Sequence, residues 1–192
     1  MKNKYIETSL ETKIGKFTIR VYKEKEGKET VVMYTEHIDP SQAVLARIHS
    51  ECLTGDIFKS LRCDCGQQLE QSLKMISRSG NGVLVYLRQE GRGIGLFEKI
   101  KAYQLQYQGY DTYEANVMLG HMPDARKYNW AYVALFDLKI KKIRLITNNP
   151  EKIKDIEKLG IEVTQRVSLN IGPNKHNKRY FVTKRKKFKH LL

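Results

Sequence analysis

The stretch IRLITNNPEKIKDIEKLGIEVTQR, residues 143–166, reads as strand, helix, strand. Its opening run is short and rich in aliphatic and β-branched side chains, which suits a strand over 143–147. Pro150 fits a first helical turn, where its missing N–H is not needed, and Gly160 fits a helix end, so the helix spans 150–159. A second β-branched run follows at 161–166. Strands alternating with helices argue for an α/β layered sheet.

The alternation extends upstream. Residues 82–87, GVLVYL, are a continuous apolar run of the kind a buried strand carries, and 95–107 return to helical spacing. Before them, Leu69, Leu73 and Ile76 stand at helical spacing just after Cys65, until Gly80 and Gly82 end the segment. A further helix is predicted over 128–138. The first quarter differs: 12–22, 30–35 and 43–48 carry β-branched and aromatic residues in short runs and read as strands. The expectation is an α/β fold: a single layered domain over 1–192, with a mixed β-sheet flanked by helices and a β-rich N-terminal part.

With 192 residues and 41% hydrophobic content the chain can bury one full core. The first 28 residues are charged throughout and lack the apolar core of a signal peptide, and no later apolar run approaches membrane-spanning length. A cytoplasmic protein with no membrane partner is the expectation. The formal net charge of +14 favours polyanionic partners without choosing among nucleotide, nucleic acid and acidic lipid. Nucleic-acid binding is not expected as the main function, because paired zinc-finger spacing and an RNA-binding aromatic signature are both missing. Much of the positive charge lies in a short basic tail from about residue 184, which reads as solvated.

The chain has three cysteines, Cys52, Cys63 and Cys65, which cannot all pair with one another. Cys63 and Cys65 are poorly spaced for a mutual disulfide, so thiolate chemistry in a reducing compartment fits better. Cys52 follows a predicted strand, and the close pair precedes a predicted helix, so a loop can return all three to one ion. Three protein thiolates would leave a zinc ion its fourth tetrahedral position, the mark of a catalytic rather than a closed structural site. Two plainer readings stand beside this one: ordinary buried cysteines, or a structural zinc completed by His49, three residues before Cys52.

Two loops carry anion-binding features. Residues 88–95, RQEGRGIG, lie between a predicted strand and helix: the glycines let backbone approach a ligand, the helix N-terminus offers free amides, and Arg88 and Arg92 can grip phosphate. A glycine-rich structural turn would look similar, since such strings are weak motifs. Further on, Thr147-Asn148-Asn149-Pro150 ends a strand and opens a helix, where threonine or asparagine commonly serves as a cap. Lys152 in that helix's first turn opposes the macrodipole, a small hint that it serves an anion.

Taken in order, RIHSECLTGD, LRCDCGQQL, YLRQEGRGIGL, QGYDTYEAN, DAR and ITNNPEKI, with the terminal HLL, resemble GTP cyclohydrolase II of riboflavin biosynthesis. The resemblance implies an enzyme that uses zinc and magnesium to convert GTP into a diaminopyrimidine ribosyl phosphate, releasing formate and pyrophosphate. It implies one Zn2+ per subunit on Cys52, Cys63 and Cys65, Mg2+ with the triphosphate, and a homodimer. Arg47, Ile48, His49, Ser50, Glu51, Gln68, Glu90, Gly91, Arg92, Thr112, Thr147 and Lys152 match the family's GTP-binding positions. Asp124 and Arg126 match its proton acceptor and nucleophile, and Tyr103 a tyrosine implicated in ring opening. Glu90 and Gln68 are candidates to read guanine's edges. Arg126 has a second reading as a phosphate clamp, because a guanidinium keeps its proton and is a poor nucleophile. The chain departs from the family at Tyr128-Asn129-Trp130-Ala131-Tyr132-Val133, where many members carry small residues; bulky aromatics there read as core or subunit contact.

Overall fold

The computed structural model describes residues 4–24 and 27–191. Seven strands form one sheet: β1 (Tyr5–Glu11), β2 (Lys16–Lys23), β3 (Glu29–Tyr34), β4 (Val44–Ser50), β5 (Gly82–Leu87), β6 (Lys142–Ile146) and β7 (Glu162–Val167). Their spatial order is β1-β2-β3-β5-β4-β6-β7. The first three strands and β5 pair antiparallel, in registers such as Tyr5 opposite Tyr22 and Val32 opposite Val85. β4, β6 and β7 run parallel, with Val44 opposite Ile143 and Lys142 opposite Glu162. The sheet is therefore mixed, as the alternation of runs predicts. Parallel β6 and β7 need a crossover, and α6 (Pro150–Lys158) supplies it.

The remaining helices are α1 (Leu53–Asp56), α2 (Cys65–Ser79), α3 (Leu96–Tyr107), α4 (Thr112–Met118), α5 (Asn129–Asp137) and α7 (Lys178–Phe188). The described residues fall into two compact units. One is drawn from Met1–His49, Leu69–Arg88 and Tyr128–Leu169, the other from Ser50–Gln68, Gln89–Lys127 and Asn170–Leu192.

The first unit owns the core. Val83, Val85 and Leu87 of β5 and Val44, Ala46 and Ile48 of β4 are buried with Ile143 and Leu145 of β6. α5 lies on β5 through Ala131 and Ala134, whose small side chains let backbone come close. The aromatic stretch at its start belongs to this core: Tyr128 is buried, Trp130 packs 5.9 Å from the Tyr22 ring, and Tyr132 lies 5.8 Å from Phe136.

Three local expectations change. The strand predicted over 12–22 begins only at Lys16, because Thr12 accepts from Gly15 N and donates its hydroxyl to Gly15 O, closing a hairpin turn. That hairpin adds β1, an exposed edge strand whose lack of a buried face left no periodic signal. The basic tail is not simply solvated: most of it is α7, and Lys184 within it is buried.

Candidate active site

β4 delivers the chain to Cys52, whose carbonyl opens α1 and whose N–H donates to the Asp56 carboxylate at 3.0 Å. Cys63 and Cys65 flank Asp64, and α2 starts at Cys65. The three sulfurs lie within 4.8 Å of one another, with Cys52 and Cys63 at 3.7 Å. Tetrahedral zinc–thiolate bonds of about 2.3 Å imply sulfur separations of about 3.8 Å, so the triad is already at ligating distance. Two glycines make this possible. A Cβ on Gly55 would stand 2.8 Å from the Cys63 sulfur and 3.2 Å from that of Cys52, and a Cβ on Gly66 would stand 2.2 Å from the Gly55 carbonyl oxygen.

Three thiols so close cannot all ionise unaided. Hydrogen bonds from Cys63 and Cys65, helped by the Lys99 ammonium, hold Cys52 far below the ordinary thiol value against the effect of burial. The same contact with Cys52 pushes Cys63 up to about 11, and Cys65 also moves up. A cation bound to all three would favour the thiolate form of each. The donor set fits a metal ion. Among the described residues no histidine or carboxylate joins the group, and His49 instead stacks on Tyr86, with ring centroids 5.4 Å apart.

All three cysteines line a cavity of about 240 Å³ in the second unit, just under the usual span of small-molecule sites. Glu90, Gly91 and Arg92 of the turn Glu90–Gly93 form part of its wall, and Gly91 and the non-glycine Arg92 both take left-handed backbone, with φ of 62° and 61°. That conformation is costly for a side-chain-bearing residue and gathers at functional sites. Arg92 lines the cavity, and its Nη1 is buried with no hydrogen-bond partner among the described residues. Burial pulls its pKa down from the ordinary value. Arg126 reaches the same wall, gripped by Asp124 through Nε at 2.8 and 3.1 Å and through Nη2. Burial pushes the Asp124 carboxyl up, but Arg126 outweighs it and holds the group below the usual range.

A sequence model of the GTP cyclohydrolase II family matches residues 3–168 of this chain. The chain belongs to that family. It is 48% identical over 194 residues to a GTP cyclohydrolase-2 of Acinetobacter baumannii, covering 100% of this chain and 97% of that one. It is 50% identical to a GTP cyclohydrolase-2 of Hahella chejuensis, covering 95% and 89%. A riboflavin biosynthesis protein RibBA of Bacillus velezensis is 49% identical over 99% of this chain, which spans only 48% of that longer protein.

The site residues expected from the sequence fall into two groups. In the second unit, Ser50, Glu51, Glu90, Gly91, Arg92, Tyr103, Thr112 and Arg126 line the cavity with the three cysteines. Glu90 is already committed there: Oε2 accepts from Leu53 N at 2.6 Å, and Oε1 from Gly91 N at 2.7 Å and Lys99 at 2.8 Å. These contacts tie the glycine turn to α1 and α3. Gln68 donates to Asp64 at 2.6 Å and is not among the cavity's lining residues. In the first unit, Arg47, Ile48 and His49 lie in the C-terminal half of β4 and Thr147 directly follows the neighbouring parallel β6, the strand ends where such sheets place ligand sites. Arg47 donates to Ile146 O at 3.0 Å, Lys152 to Ile48 O at 2.7 Å, and Thr147 Oγ1 accepts from Asn149 N. Asn149 is the helix cap, accepting from Glu151 N at 3.1 Å.

Sequence reasoning missed Lys99. It donates to Cys52 Sγ at 3.2 Å and to Glu90, linking the thiols to the glycine turn. A lysine one turn into α3 is the same signal that singled out Lys152.

Proposed function

We propose that the chain hydrolyses GTP, opening the guanine imidazole ring and releasing formate and pyrophosphate to give the diaminopyrimidine ribosyl phosphate of riboflavin biosynthesis. The observation that carries this is a thiol triad at ligating distance in one cavity with the buried, unpartnered Nη1 of Arg92. Cys52, Cys63 and Cys65 would hold one Zn2+, which when bound would supply Lewis-acid activation of water at neutral pH. Mg2+ accompanies the triphosphate. The protein works as a cytoplasmic homodimer with nucleotide, not nucleic acid or membrane, as its partner.

Each remaining role follows from a side chain's surroundings. Lys99 lies against Cys52 and offsets the negative charge that three thiolates bring. Tyr103, whose phenol burial pushes up and which lies 3.4 Å from Thr54 Oγ1, stays protonated and donates a hydrogen bond to the opening ring. Arg92 and the backbone of its turn take phosphate oxygens. Arg126, paired to Asp124, keeps its proton and clamps the triphosphate, while Asp124 accepts a proton from water during pyrophosphate release. Arg47 to Glu51, Thr112, Thr147 and Lys152 hold the rest of the nucleotide, and Gln68 acts behind the metal loop.

The test is mass spectrometry of the products formed from GTP by the purified protein with zinc and magnesium. Formate and the diaminopyrimidine product are expected. Accumulation of a formylated pyrimidine would limit the chemistry to ring opening, and unchanged GTP would overturn the reading. Isolation of a covalent guanylyl adduct on Arg126 would defeat the clamp role.

A further inference from the structure

The nucleotide reading uses the thiols, the glycine turn and the arginines, and leaves the C-terminal helix without a task. α7 is nevertheless built into the second unit. Lys184, 6% exposed, donates to Asp64 Oδ1 at 2.7 Å across 120 residues of sequence. The Gln68 amide donates to the other oxygen, Oδ2, at 2.6 Å. Asp64 is 1% exposed and stands between two of the three thiols. A buried carboxylate without a counter-charge is strongly disfavoured, so this pair binds helix and loop to each other. Tyr180 and Thr183, on the same helix, line the cavity, and Phe188 lies 4.0 Å from the Arg92 guanidinium.

We propose that Lys184 is a positioning residue of the metal centre. Acting through Asp64, it fixes the Cys63-Asp64-Cys65 loop in ligating geometry, which makes α7 a working part of the pocket. The inference rests on the reading that the thiols hold a metal. Charge and position make opposite demands here. Removing a nearby cation would by charge alone tighten metal binding, whereas losing the hold on the loop weakens it.

The experiment uses zinc-free full-length protein titrated with Co2+, reading the thiolate-to-cobalt absorption band and competing with a chelator of known affinity. Lys184→Met should bind Co2+ roughly 10- to 100-fold more weakly with a reduced band, the range expected for a lost outer partner of a metal site. Lys186→Met, on the exposed part of the same helix, should match the wild type. Should Lys184→Met fail to fold by circular dichroism, Asp64→Asn combined with Lys184→Met leaves no unpaired buried charge and should show the same loss. Wild-type or tighter affinity in either folded variant overturns the proposal. If the wild-type protein itself gives no thiolate band, the metal reading falls, and this inference with it.

Discussion

Gly55 shows how little room the metal loop allows. A methyl group there would sit among all three cysteines, 3.0 Å from Cys65 Cβ and closer still to the Cys63 sulfur. Neither backbone nor thiol can yield without opening the triad. Gly55→Ala should therefore bind zinc at least about tenfold more weakly while keeping its far-ultraviolet circular dichroism, with metal content measured after dialysis against a chelator. Lys99 is the opposite case, a long side chain that joins Cys52 to Glu90, both buried. Lys99→Met leaves Glu90 without its cation, and kcat for GTP should fall well over tenfold, measured beside zinc content to separate lost metal from lost turn geometry. Gly55 acts through the room it leaves among the thiols and Lys99 through a contact with Cys52 across 47 residues, neither of which a local sequence pattern marks.

At the scale of elements, caps and edges set the boundaries. α6 starts where the Asn149 side chain accepts from Glu151 N and Pro150 follows. Asn149→Ala should lower unfolding stability by about 1 kcal/mol, seen in urea denaturation. β1 is held to the sheet by Glu7, which accepts from Tyr34 at 2.8 Å and from Arg20 at 2.7 Å. The Tyr34 hydrogen bond lowers the Glu7 carboxyl, burial opposes it, and Arg20 adds to the lowering. A lowered folded pKa means the stabilisation is complete above the ordinary carboxylate value of 4.5 and fades as pH falls through the folded value. Glu7→Gln should thus cost under about 1 kcal/mol at pH 7, given the exposure of Glu7, and cost progressively less below about pH 4.5. A difference that grew with acid would contradict the sign. Strands β2 to β7 and helices α2, α3, α5 and α6 were legible because each presents an apolar periodicity or a strong end signal. β1, α4 and α7 were not, since β1 buries almost nothing and α7 is largely lysine and arginine.

On the whole-molecule scale, the hydrophobic core and the thiol chemistry belong to different units, and metal should affect them unequally. Chelation should speed amide hydrogen exchange across residues 52–65 at least about tenfold and leave the β5 amides of Val83 to Val85 unchanged, because a metal stabilises locally the segment that ligates it. Uniform loss of protection would instead mean that the ion supports the entire fold. Some of this organisation needed no structure. Strand and helix runs, the spacing of Cys52, Cys63 and Cys65, and the ordered motifs are properties of neighbouring residues, so the mixed α/β sheet, the clustering of the three thiols and the family were readable from the chain alone. Other features arose only on folding: His49 turned to Tyr86 and not to the sulfurs, Glu90 became a strut, and Lys184 crossed 120 residues to meet Asp64. Those outcomes depend on which buried charges and donors meet when distant segments pack, and no local pattern in the sequence encodes such a meeting.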